Sequence, residues 1–253
     1  MINQVRSEFR KLLTTQVWFW LLLASLALTG LLVWAQIGSQ TDADLQAHVR
    51  DVFTAPYNPV IGAYTSAFVL GVLVITTETR HQTITPTLLA RPSRWVVVGA
   101  KMITCGLVGI AYSLACTVLT LAMALPWLNS RGIDTSFGPN RVWTGLLAVF
   151  VIYVLFALFG LGFGALVRNQ ITAVTLGVLT LVLVQTILLI IPGVRKIYPF
   201  VPNGASASLL YPHEDLGDGI STLSVAGGVV VMLVWAFIPA IIGAGYTLNR
   251  DIT

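Results

Sequence analysis

The chain has 253 residues, 56% of them hydrophobic and only 9% charged, where a soluble domain carries about 25% charge. With a mean hydropathy of +0.85, this excludes an ordinary water-soluble globule and places the chain in the membrane class. The formal charge of +4 comes from basic residues spread over several loops, a pattern that suits a cytoplasmic charge bias rather than nucleic-acid binding.

Residues 2–16 place Ile2, Val5, Phe9, Leu12 and Leu13 at helical spacing, with Arg6, Glu8, Arg10 and Lys11 mostly on the other side. This pattern predicts an amphipathic helix in the membrane interface, its basic residues toward lipid headgroups. The charged region is long for a signal peptide, and no clear A-x-A site follows. Residues 17–37 form a first uncharged span, long enough for about 30 Å of hydrocarbon, with Trp18, Trp20 and Trp34 at its ends. A polar loop is expected at 38–58.

A second span is predicted at about 59–77, where Ala63, Ala67 and Gly71 make a small-residue stripe for close helix packing. The third runs from about 102 to 125 and is expected to stop at Pro126, with Lys101 snorkelling to the headgroups at its start. Cys105 and Cys116 lie about 16 Å apart along that helix, too far for a disulfide, and read as packing residues. After a polar loop at 126–142, a fourth span covers about 143–167. Its Gly160, Gly162 and Gly164 follow no strand, so they indicate close packing and not a nucleotide fingerprint. The fifth covers about 170–191 and the sixth about 222–247. Between them, 192–221 holds Tyr198, Phe200 and Tyr211 in a stretch neither fully apolar nor properly polar, which suits short re-entrant helices.

The expected fold is therefore all-α and polytopic, a single transmembrane domain over 1–253. Six spans put both termini on one side. Nine basic residues fall on that side and five on the other, which makes it cytoplasmic in a cell (plasma) membrane.

None of the predicted spans contains Asp, Glu, Lys, Arg or His. Proton coupling through membrane carboxylates therefore lacks a ligand. There is no P-loop, H-E-x-x-H, C-x-x-C or G-x-S-x-G, and His48, His81 and His213 are scattered over loops. The chain has no sign of catalysis or of a metal site of its own. An ATP-independent channel or secondary transporter and a membrane-embedded enzyme are the rival classes. Any energy used must otherwise enter from another chain.

The 78–101 stretch carries Glu78, Arg80, Arg91, Arg94 and Lys101 between two apolar spans. Thr85 can cap a short helix with Pro86 in its first turn, and Pro92 ends it. Ile84, Leu88 and Leu89 then form an apolar knob ringed by arginine, suited to docking on a soluble protein. In order, Glu78, Thr83, Leu88-Leu89, Pro92-Ser93-Arg94 and Gly99-Ala100-Lys101 resemble the loop between the second and third spans of ABC-2 type ABC transporter permeases, except that Gln82 stands where those have Gly. With the amphipathic N-terminal helix, the six spans and the long connection between the last two, the resemblance covers the whole chain.

The resemblance implies an exporter's permease subunit. It dimerises with a second permease copy or paralogue and binds two ATPase subunits, which hold the ATP and Mg. It implies ATPase contacts at Arg6, Glu8, Arg10 and Lys11, at Glu78, and from Thr83 through Ile84, Leu88, Leu89, Arg91 and Arg94. It also implies a substrate pathway lined by the first, second and fifth spans. Their polar groups are Ser25, Thr29, Thr65, Ser66, Thr180, Gln185 and Thr186, in an apolar lining that suits a hydrophobic or amphipathic cargo such as a drug, antibiotic or lipid-like molecule.

Overall fold

A computed structural model describes residues 2–58, 62–80, 94–138, 141–167, 169–191, 194–215 and 221–250. In chain order the helices are α1 (Ile2–Thr14), α2 (Val17–Ser39), α3 (Asp42–Ala47), α4 (Val49–Phe53), α5 (Thr65–Arg80), α6 (Arg94–Ser130), α7 (Val142–Leu166), α8 (Gln170–Leu179), α9 (Gln185–Ile190), α10 (Pro202–Leu210) and α11 (Val225–Arg250). A π-helical turn, Thr180–Val184, joins α8 to α9, and a 3₁₀ turn, Arg195–Phe200, precedes α10. Among the described residues there is no strand, only an isolated bridge between Asp215 and Ser221.

Five stretches are long and apolar enough to cross a membrane: Val17–Ser39, Val96–Ser130, Val142–Leu166, Gln170–Leu188 and Val225–Gly243. Five such helices are compatible with a multi-pass membrane protein. The predicted second span is different. It is realised as α5, a helix of 16 residues, shorter than the roughly 20 needed for an untilted crossing. It starts at Thr65 because residues 62–65 are spent on a turn in which Thr65 N–H reaches the Gly62 carbonyl.

The centre of the bundle is α7, which packs on α5, α6 and α11. Its glycines permit this. A side chain at Gly160 would run into the Phe68 carbonyl of α5, one at Gly162 would come within 2.6 Å of the Ala236 carbonyl of α11, and one at Gly164 within 2.8 Å of the Val72 carbonyl. From the other side, Gly71 meets the Ala157 carbonyl, and Ala63 and Ala67 are fully buried. Backbones approach closely wherever small residues face each other, as the stripe predicted.

Two expectations for the loops are corrected. The helix expected to stop at Pro126 continues to Ser130. A proline removes one helical hydrogen bond, but here Leu128 beyond it is fully buried in a second apolar core, and that burial holds the last turn. The 38–58 stretch is no polar loop either. It folds into α3 and α4, whose Leu45, Val49, Val52 and Phe53 join Val33, Ile37, Leu128, Val142 and Leu146 in this core at one end of the bundle.

The α5–α7 contact depends on the missing side chain at Gly160. Gly160→Ala is expected to cost about 1–3 kcal/mol through overpacking. Gly106→Ala, in open space on α6, is expected to be neutral or to stabilise by up to about 1 kcal/mol. Thermal unfolding of the purified variants in detergent checks the pair.

Candidate functional site

At the end of the bundle opposite the second core, three chain segments converge on one cluster of charge. Lys101 Nζ, near the start of α6, lies 2.6 Å from Glu8 Oε2 on α1 and 2.9 Å from Glu78 Oε1 near the end of α5. Lys11 Nζ lies 2.8 Å from Glu8 Oε1 and 2.8 Å from the same Glu78 oxygen. Two ammonium groups and two carboxylates thus alternate around a closed ring of zero formal charge. The side chains of Glu8, Glu78 and Lys101 are only 3%, 8% and 5% exposed, whereas that of Lys11 is 44% exposed and closes the ring on its outer side.

Lys101 was expected to snorkel outward. It turns inward instead, because two carboxylates wait there and a buried charge is tolerated only when paired. Glu8 was expected to share the polar face of α1 with the arginines. Instead Val5, Glu8 and Leu12, at helical spacing, make the face that meets the bundle, with Glu8 buried and Leu12 against the main core. Phe9 and Leu13 stay exposed, and Arg6, Ser7, Arg10, Lys11 and Thr14 line an open groove on the remaining side. The helix therefore has three faces: bundle, apolar and basic.

Burial alone would push the Glu8 carboxyl up. The charge of Lys101 and hydrogen bonds from Lys101 and Lys11 outweigh it and hold the group below the usual carboxylate value. Burial likewise works against the Lys11 ammonium, but its bonds to Glu78 and Glu8 prevail and raise it above the usual lysine value. The second oxygen of Glu78, Oε2, is buried and has no hydrogen-bond partner among the described residues.

Of the residues expected to meet an ATPase, Glu8, Lys11 and Glu78 are thus brought together. Arg6 and Arg10 are exposed on α1, and Arg94 begins α6. Thr83, Ile84, Leu88, Leu89 and Arg91, with the short helix predicted around them, lie outside the described residues. The segment they belong to is flanked by α5 and α6, two of the three helices that the ring joins.

The expected pathway residues lie on α2, on α5 and along the 170–190 stretch. Ser25 and Thr29 are fully buried. The Ser25 hydroxyl donates to the Ala63 carbonyl at 3.0 Å and lies 3.3 Å from Cys116 Sγ. Thr29 and the buried Tyr153 hydroxyl have no partner of good geometry among the described residues. Thr65 and Ser66 are half-buried at the start of α5. Thr180 and Thr186 bond back to the Leu176 and Val182 carbonyls, 2.7 Å each, and Gln185 opens α9. Among the described residues no group of three His, Cys, Asp or Glu side chains could hold a metal.

No protein-family model matches the sequence, and no curated protein matches it.

Removing one member of the ring strands the others. Lys101→Met is expected to destabilise the folded chain by about 3–5 kcal/mol, the cost of breaking a buried pair, and adding Glu8→Gln is expected to recover part of that loss. Chemical denaturation of both variants in detergent measures it. The pH dependence follows from the shifts. The lowered carboxyl of Glu8 stabilises above its unfolded value of about 4.3, and that stability is lost as pH falls through the lower folded value. The raised ammonium of Lys11 stabilises below its unfolded value of about 10.4, and that stability is lost as pH rises through the higher folded value. Docking of α1, followed by a fluorophore at position 7, is expected to be flat between these limits and to fail outside them.

Proposed function

We propose that this chain is the permease subunit of an ATP-driven ABC transporter of the ABC-2 type, exporting a hydrophobic or amphipathic molecule. Two copies, or this chain and a paralogue, would enclose the path, and two ATPase subunits carrying ATP and Mg would drive it from the cytoplasm. The chain is then not itself an enzyme.

The observation that carries this reading is the charge ring. The 81–93 segment, whose sequence resembles the ATPase-docking loop of such permeases, is flanked by α5 and α6. Glu78 and Lys101 sit on those two helices and are joined through the ring to α1. Force applied to the segment would reach α5, α6 and α1 as one body, because separating any of them exposes an unpaired buried charge. Supporting it are the basic outer groove of α1, where an ATPase or lipid headgroups would lie, and the absence of ionisable groups from the apolar midsections of the helices.

On this reading α5 counts as a sixth, tilted or locally thinned crossing. Both termini are cytoplasmic, and α10, all of whose residues are buried, is a re-entrant helix. Closure of the ATPase pair pushes the 83–94 docking segment. The α5–α6–α1 unit tilts, and the path between permeases opens outward. The exposed apolar side chains of α2 and of 171–191, among them Trp20, Leu31, Trp34, Leu183 and Ile187, would face lipid or the second permease.

Two outcomes are expected. An ATPase co-purifies with the chain and its hydrolysis is stimulated by it, measured by phosphate release in nanodiscs; a chain that brings down no ATPase and stimulates none overturns the reading. Leu88→Asp with Leu89→Asp abolishes ATP-driven transport while leaving the permease folded. Normal flux in that variant would mean that the loop does not couple.

A further inference from the structure

The span-length helix from Gln170 to Ile190 is not continuous. At Thr180–Val184 it opens into a π turn. Such a turn inserts one extra residue and leaves a carbonyl short of its regular helical donor. In an apolar surrounding an unmet carbonyl is costly, so a π turn there persists only with an outside donor. One is present: Asn203, from the first turn of the buried α10, donates its side-chain N–H to the Leu181 carbonyl at 2.9 Å.

Asn203 is itself held in place. It is 2% exposed. Its backbone carbonyl accepts from the Tyr57 hydroxyl at 3.0 Å, and the Ser206 hydroxyl reaches both that carbonyl, at 2.8 Å, and the Tyr57 oxygen, at 3.2 Å. The next position packs its backbone tightly, since any side chain at Gly204 would strike the Tyr198 carbonyl. The donor is thus positioned by residue 57 and by its own helix, α10.

We propose that Asn203 is a positioning residue that sets the rotational register of the second half of this helix. Without the extra residue of the π turn, every position after 184 rotates by about 100°. Each residue then takes the direction previously held by its successor. At present Ile187 is 50% exposed and Leu188 is 7% exposed. In the regular register Ile187 would point where Leu188 now does, and Thr186 would replace Ile187 on the outer surface. Asn203 therefore decides whether an isoleucine or a threonine is presented at this level. The register itself stands on the geometry alone. Its consequence, a more apolar surface toward lipid or the second permease, rests on the permease reading.

The test places a spin label at 186, 187 or 188 of the full chain in nanodiscs without any ATPase. Cys105 and Cys116 are both buried and stay unlabelled. In the wild type, oxygen accessibility is expected to be high at 187 and low at 188. Asn203→Leu is expected to lower it several-fold at 187 and raise it at 186, and Asn203→Gln, which keeps the donor, to restore the wild-type pattern. An unchanged pattern in Asn203→Leu overturns the proposal, and so does a uniform rise at all three positions, which marks loosening without a change of register. Failure of any ATPase to co-purify with the wild type or be stimulated by it, with the exchange of accessibility still seen, would defeat the permease reading and leave this one standing.

Discussion

A lysine ammonium near the start of an apolar helix has two stable fates: water or a carboxylate. Lys101 takes the second, and much of the architecture at this end of the bundle follows. To reach it, α1 must turn Glu8 inward and lie with Val5 and Leu12 on the bundle. The end of α5 must bring Glu78 to the same point. Lys11 then supplies the second positive charge that makes the ring neutral. No member is stable there alone, because an uncompensated buried charge costs more than most single contacts return. The three helix ends therefore assemble together or not at all.

The long helix α6 connects that ring to the rest. From Lys101 to Leu128 is about 40 Å at the helical rise, so one rigid element carries the ring at one end and the second core at the other. Between them it packs on α7, whose glycines bring it against α5 and α11 at backbone distance. Packing this close transmits displacement, since interfaces at native density change by discrete steps and not by smooth yielding. The π turn is the exception in the bundle. It is a place where one helix has two registers available and a side chain from elsewhere selects between them.

The apolar helices were legible because their signal is local: a long uncharged run can only be buried or cross lipid. The small-residue stripes were legible for the same reason, since close approach needs small side chains on one face. What escaped depended on partners distant in sequence. A lysine at a helix end reads identically whether it snorkels or pairs, and the partner of Lys101 is 93 residues away in Glu8. Glu8 sits among basic residues, so its neighbours suggested a polar face that it does not share. For α3 and α4 the signal was present, as Leu45, Val49 and Val52 recur at helical spacing, but the intervening aspartates masked it. Pro126 was read by its local rule, and burial of Leu128 overrode that rule. The register of the fifth apolar stretch was not legible at all, because an α run and a run with one π turn have the same composition.

The resemblance and the geometry meet at two residues. In the sequence, an acid ends one span and a lysine opens the next, with the resembling loop segment between them. In space they are partners, with Lys101 Nζ 2.9 Å from Glu78 Oε1. That contact gives the spacing a physical reason: it holds the α5 and α6 ends on either side of the segment together, so that a push on the segment cannot be absorbed by spreading them. A loop that merely sets topology needs positive charge but no buried carboxylate.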